Sequence, residues 1–260
     1  MGETHISQKI ISILFFCSII ISSCTRNNDT SNPKTSTPLF PNSIVSTDID
    51  FIRFNDPDAF INLAYLGQED KEMPDSRTTA LFDTNTYVFE ASFSNSKIVE
   101  IWAHSSFGNQ NAAEVYADKL TSRLGKLPEF MRDVLSHVVI HKGDAGAFSE
   151  SEGHFVVLYS DNMDTRISNN DLEETVFHET VHASLDAIHV NSSSWINAQS
   201  ADGTFITNYA EEFPIREDLA ESALFAYTMI KYPGRLSPEV EQWVNTNIPN
   251  RFAFIETIFK

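Results

Sequence analysis

Thiols are almost missing from this chain: its 260 residues include only Cys17 and Cys24, both near the N-terminus. Beyond residue 24 there is no disulfide framework and no cysteine-based metal site, so packing, or a metal held by other ligands, must supply stability. Basic residues are also scarce, 18 Lys plus Arg against 36 Asp plus Glu, for a formal net charge of −18. Nucleic acid and anionic lipid surfaces are therefore not the partners expected, because phosphate binding needs basic patches and the charge balance is strongly acidic. Long apolar runs are missing too. The stretch from Ile10 to Ile21 is too short to span a bilayer comfortably as a helix.

That short run, preceded by Lys9 and followed by small residues, reads as a secretory signal. Ile21-Ser22-Ser23-Cys24 then resembles a bacterial lipobox, whose Cys is lipidated and becomes the new N-terminus. The alternative is an ordinary secretory signal with a chance Cys beside its cleavage site. The first reading places the protein in the cell envelope, at the outer membrane or cell surface, anchored through Cys24; the second makes it secreted. Residues 25–48 are rich in Ser, Thr, Asn and Pro and carry few large apolar side chains, so they are expected to form a tether.

The folded part is expected from Ile49 to the C-terminus. An apolar share of 42%, with twenty Phe, supplies enough material for one core. Asp56-Pro57 reads as a helix start leading into Ala59, Phe60, Leu63, Ala64 and Leu66. Residues 87–93 and 98–102 read as a β-hairpin, and 111–124 as a helix closed by Gly125. Strands are expected at 138–140 and 155–159. After Asn170 the pattern turns helical, with an Asn170/Glu173 capping box, a helix from Pro214 to about Lys231, and another from Ser237-Pro238. The fold class expected is α+β: a small mixed or antiparallel sheet lobe over residues 49–190, then a helical lobe over 191–260.

His178-Glu179-Thr180-Val181-His182 lies within the first of those helices. Residues four apart share one helical face, so both imidazoles can reach one metal while Glu179 projects beside it toward a bound water. Nitrogen ligands of this kind suit zinc. A catalytic zinc takes three protein ligands and keeps one position open, so a third ligand is required. Downstream, Glu217 and Glu221 stand four apart on another expected helix, where they repel weakly unless a cation lies nearby.

The pairing of His-Glu-x-x-His with a later Glu-x-x-x-Glu resembles the gluzincin metallopeptidases, the thermolysin-like and anthrax-lethal-factor-like enzymes. The resemblance covers residues 178–221. It implies a zincin-like fold, one Zn2+ held by His178, His182 and Glu217, and Glu179 as the base. Glu221 would back a histidine ligand, although the sequence leaves open which of the two glutamates binds the metal. It also implies a peptide or protein substrate. Tyr209 either stabilises the oxyanion, as in lethal-factor-like enzymes, or packs as a core residue. Asp186 either orients His182 or is a solvated acid.

His189 is the rival third ligand. Metzincins place a Gly where Leu185 stands, and His189 comes one residue late, about 10.5 Å along a continuing helix from His182. Asp161 and Asp164 hint at calcium but lack the spacing of a calcium loop, so a polar loop is expected there. Phe155 to Tyr159 is the expected edge strand beside the substrate. A competing function is a zincin-like envelope lipoprotein that binds a metal or a protein partner without hydrolysis.

Overall fold

The computed structural model describes residues 37–94 and 97–260. The expected signal segment, Cys24 and the first part of the expected tether lie outside the described residues. Among those described, no helix is long and apolar enough to cross a membrane.

Six strands form one mixed sheet. β1 (Phe60–Glu72), β2 (Phe82–Phe93) and β3 (Val99–Ala103) make an antiparallel meander. β3 then pairs in parallel with β4 (His137–His141), and β4 with β6 (Phe155–Tyr159). The short β5 (Phe148–Glu150) pairs antiparallel with β6 and closes the order β1-β2-β3-β4-β6-β5. The parallel β3-to-β4 link is long enough to carry two helices, α1 (Gln110–Lys126) and α2 (Glu129–Val134). Central strands are buried on both faces: Val138, Ile140, Val156 and Leu158 face the helices, whereas Val139 and Val157 pack with Met73 and Tyr159 on the other side.

α3 (Ser160–Asn169) leads into α4 (Leu172–His189), which lies against β5 and β6. α5 (Ser193–Ala201), α6 (Asn208–Glu212), α7 (Asp218–Lys231), α8 (Pro238–Asn247) and α9 (Pro249–Phe259) follow, and α7 packs between α4 and α9. The fold is thus mixed α and β, with every named strand before α3 and helices after it, in keeping with the α+β expectation.

Several local expectations are corrected. The helix expected after Asp56-Pro57 is the strand β1. Its apolar residues pair with β2, Leu63 opposite Ala91 and Tyr65 opposite Phe89, and the register shifts near Phe60, Tyr65 and Glu69. Such irregularities break the two-residue alternation, so a bulged strand can imitate helical spacing. Asp56 instead receives the Arg53 amide and pairs with Arg235. The capping box at Asn170 is replaced by a left-handed helix end. Asn170 has φ 60° and closes α3, where a polar loop was expected, while Glu173 faces Arg123 and Lys126. The helix expected from Pro214 begins only at Asp218, with Glu217 as its N-cap. The expected edge strand β6 has neighbours on both sides; β5 is the edge.

The tether also ends sooner than expected. The Leu39 and Phe40 amides both donate to the Ile206 carbonyl at 3.1 Å, and the Asn208 amide donates to the Phe40 carbonyl at 2.9 Å. Phe40 stacks on Phe225, and Ile44 is fully buried within a single 3-10 turn, Ile44–Ser46. The few apolar residues of this stretch are the ones that dock it.

Gly125 does not close α1 but lies inside it, where β1 approaches. A Cβ there would stand 1.8 Å from Asp58 Oδ1 and 2.9 Å from the Phe60 amide nitrogen. Gly125→Ala should therefore cost roughly 1–3 kcal/mol by overpacking, even though alanine favours helix. Urea unfolding of the variant reads this directly, and an unchanged or raised midpoint would contradict the close approach.

Candidate metal centre

α4 is buried along most of its length, and this sets the character of the site: His178 and Glu179 are buried and His182 nearly so. One turn of helix brings the two imidazoles face to edge, with the Nε2 atoms 3.1 Å apart. Glu217 enters from the start of α7, its Oε2 lying 3.4 Å from His178 Nε2 and 3.3 Å from His182 Nε2. Among the described residues, these three form the one group able to hold a metal ion.

The donor triangle fits a small tetrahedral cation. Ligand bonds of 2.0–2.1 Å at tetrahedral angles separate the donor atoms by about 3.3 Å. All three observed edges fall within a few tenths of an ångström of that value. Two nitrogens and one carboxylate oxygen are also the donor set that zinc accepts at catalytic sites.

Each donor is braced from behind. His182 Nδ1 donates to Asp186 Oδ2 at 2.7 Å, which fixes the tautomer and aims Nε2 at the triangle. Asp186 therefore orients a ring and is not a solvated acid. His178 Nδ1 faces Glu221 Oε1 at 3.5 Å, and Glu221 is fully buried. Glu217 Oε1 accepts from Arg216 Nε at 2.6 Å, leaving Oε2 for the centre. The N-terminus of α7 is fixed from below by Asp218, which binds the fully buried Arg251 at 2.6 Å and Gln199 at 2.8 Å.

The electrostatics follow from this crowding. Burial opposes a charge on His182, but Asp186 and Glu217 outweigh it and push the imidazole up to about 10. Burial likewise opposes the Glu217 carboxylate, yet the two histidines hold it far below the usual carboxylate range. In the absence of a metal a proton thus takes the place of the cation.

Glu179 and Tyr209 border a cavity of about 370 Å³ that opens over the triangle. Glu179 Oε2 accepts from Ser149 Oγ at 2.8 Å, so edge strand β5 orients the expected base. Tyr209 lies on α6 with its hydroxyl 3.5 Å from Arg216, the one Lys or Arg lining that cavity. Burial and the Glu217 charge push this phenol up, keeping it a neutral donor. Tyr209 thus borders the cavity, and it also packs edge-on against Phe213.

Other sequence candidates lie elsewhere. His189 ends α4 with its ring edge-on to Phe254, and burial pushes its pKa down. On α3, Asp164 binds Tyr116 and Lys119 and Asp161 binds Ser160, and among the described residues they belong to no group of acids able to hold a metal ion. Sequence reasoning did not reach Ser149 or Arg216. Arg216 was visible as the residue before Glu217, but Ser149 sits in a three-residue strand too short to show a pattern.

A metal ion must displace the His182 proton to bind, so affinity should rise with pH. Between pH 6 and 8 the gain expected is about tenfold per unit if one proton leaves. Titration calorimetry in buffers of different ionisation enthalpy measures that release, and pH-independent affinity would contradict the proton-filled site. Comparison of the chain with family models, curated proteins and solved structures gave no match.

Proposed function

We propose that the chain is a zinc metallopeptidase of the zincin kind, exported and anchored to the cell envelope by lipid on Cys24. The observation that carries the enzymatic part is the convergence of His178, His182 and Glu217 on one point beside Glu179. The resemblance of the two motifs to gluzincins supports the choice of zinc and of peptide bonds as the target.

Zinc bound by these three residues would lower the pKa of a water and polarise a carbonyl oxygen. Glu179, steadied by Ser149, takes the proton of the attacking water and passes it to the leaving amine. Tyr209 donates to the oxygen that gains charge during attack, a role that its neutral phenol suits. Asp186 and Glu221 keep both rings aimed while charge moves.

The surroundings favour an extended polypeptide over a small molecule. The cavity shares Ala147, His178 and Tyr209 with a second one that reaches Thr175 and Ser46. Toward the other end of α4 it shares Ser151, Asp186 and Arg216 with a third that reaches Val190, Asn191 and Ile215. From Thr175 to His189, where α4 ends, the helix rises about 21 Å, the length of roughly six extended residues. Strand β5 runs beside this trough and offers its free edge for backbone pairing.

Glu179→Gln should keep the metal and lose activity by about 10²–10⁴-fold on a mixture of unstructured peptides. Full turnover by that variant would remove Glu179 as the base. Tyr209→Phe should lower kcat by about 10²-fold with KM little changed. A raised KM with kcat unchanged would instead mark Tyr209 as a residue that binds substrate. If the wild-type protein holds zinc but cleaves none of these peptides, the metal- or partner-binding lipoprotein becomes the better reading.

A further inference from the structure

We infer that the N-terminal arm, Leu39–Ser46, is a working part of the metal centre, in which Ser43 and the Ile44 amide are positioning groups that hold Glu221 against His178. This inference rests on the metal-centre reading above and deepens it.

Glu221 is the group that reaches the back of His178, and its carboxylate is wholly enclosed. An imidazole that binds a metal through Nε2 carries its proton on Nδ1 and needs an acceptor there. Within the described residues His178 Nδ1 has no closed hydrogen bond, and Glu221 Oε1 is the oxygen facing it, at 3.5 Å. The placement of that oxygen is therefore decisive, since a few tenths of an ångström separate an ion-pair distance from a hydrogen bond.

Placement is set chiefly from the arm. Ser43 Oγ donates to Oε1 at 2.5 Å, and the Ile44 amide donates to Oε2 at 2.8 Å. The remaining donor, Thr207 Oγ1, reaches Oε2 at 2.8 Å. Ser43 is thus the donor that shares an oxygen with the imidazole, and it comes from the far end of the chain. Thr207 itself depends on the arm, because Phe40 forms a parallel bridge with it.

The arm is built to stay in place. Its backbone binds Ile206 and Asn208, Arg166 donates to the Val45 carbonyl at 2.9 Å, and Phe40 stacks on Phe225 of α7. Ser43, Val45 and Ser46 also form a wall of the cavity that contains His178, Glu179 and Tyr209. A stretch whose sequence suggests a passive spacer thereby supplies two of the three closed hydrogen bonds to the carboxylate behind a metal ligand.

The test uses full-length Ser43→Ala, Ser43→Thr and Thr47→Ala. Thr47, the residue after the arm, donates its hydroxyl to the Ile44 carbonyl at 2.9 Å without touching Glu221, so it controls for general loosening. Zinc affinity is measured by chelator competition at fixed pH, and ligand geometry by the absorption bands of the cobalt-substituted protein. Ser43→Ala should weaken zinc by about tenfold and shift the cobalt bands, as loss of an outer partner does. Ser43→Thr should restore both, and Thr47→Ala should leave both near wild type.

Wild-type affinity and spectrum in Ser43→Ala would overturn the inference while leaving the metal centre standing. An equal loss in Thr47→Ala would overturn the assignment to Ser43. A wild-type protein that takes up no stoichiometric zinc or cobalt would remove the centre and the arm's role together.

Discussion

A carboxylate lodged between two imidazoles is the contact around which the rest of the molecule is arranged. Glu217, His178 and His182 bring three donors within 3.4 Å of one another in a buried place. Two imidazole nitrogens 3.1 Å apart need a hydrogen or a metal ion between them, because two bare lone pairs would repel. The structure supports that concentration of polar groups by facing each one with a partner outside the triangle. Asp186 serves His182, Glu221 serves His178, and Arg216 takes the spare oxygen of Glu217.

The fold contributes rigidity where it is needed. α4 is clamped between the sheet and α7, so the histidine spacing is set by a buried helix and not by a loop. The start of α7 is pinned by Arg251, which is completely enclosed and joins Asp218 to Asp202. Removing one member of such a buried network leaves an unpaired charge, and that cost keeps the helix ends in register. Elements distant in sequence meet at the site for this reason. Residues 43–44, 149, 178–186, 209 and 216–221 all come within one or two side chains of the triangle.

Parts of this arrangement can be read from the sequence and parts cannot. The helix bearing His178 and His182 was legible, because its periodicity is local and the four-residue spacing translates directly into a shared face. Glu217 could be reached only through the resemblance of the downstream motif, since nothing local to it predicts contact with α4. β1 was misread because its register shifts erase the alternation that marks a strand, and Gly125 because a glycine needed for close approach looks like one that ends a helix. The docking of Ser43 and Ile44 on Glu221 joins residues more than 170 positions apart and left no trace in a composition of Ser, Thr and Pro. Ser149 stayed hidden because β5 is too short to show a pattern.

X-ray absorption at the zinc edge of the metal-loaded protein tests the central claim most directly. The account predicts two imidazole nitrogens and one carboxylate oxygen at about 2.0–2.2 Å with one further light ligand, and the imidazole signature falling when either His178 or His182 is replaced. An all-oxygen shell without imidazole scattering, or a spectrum unaltered by those replacements, would contradict it.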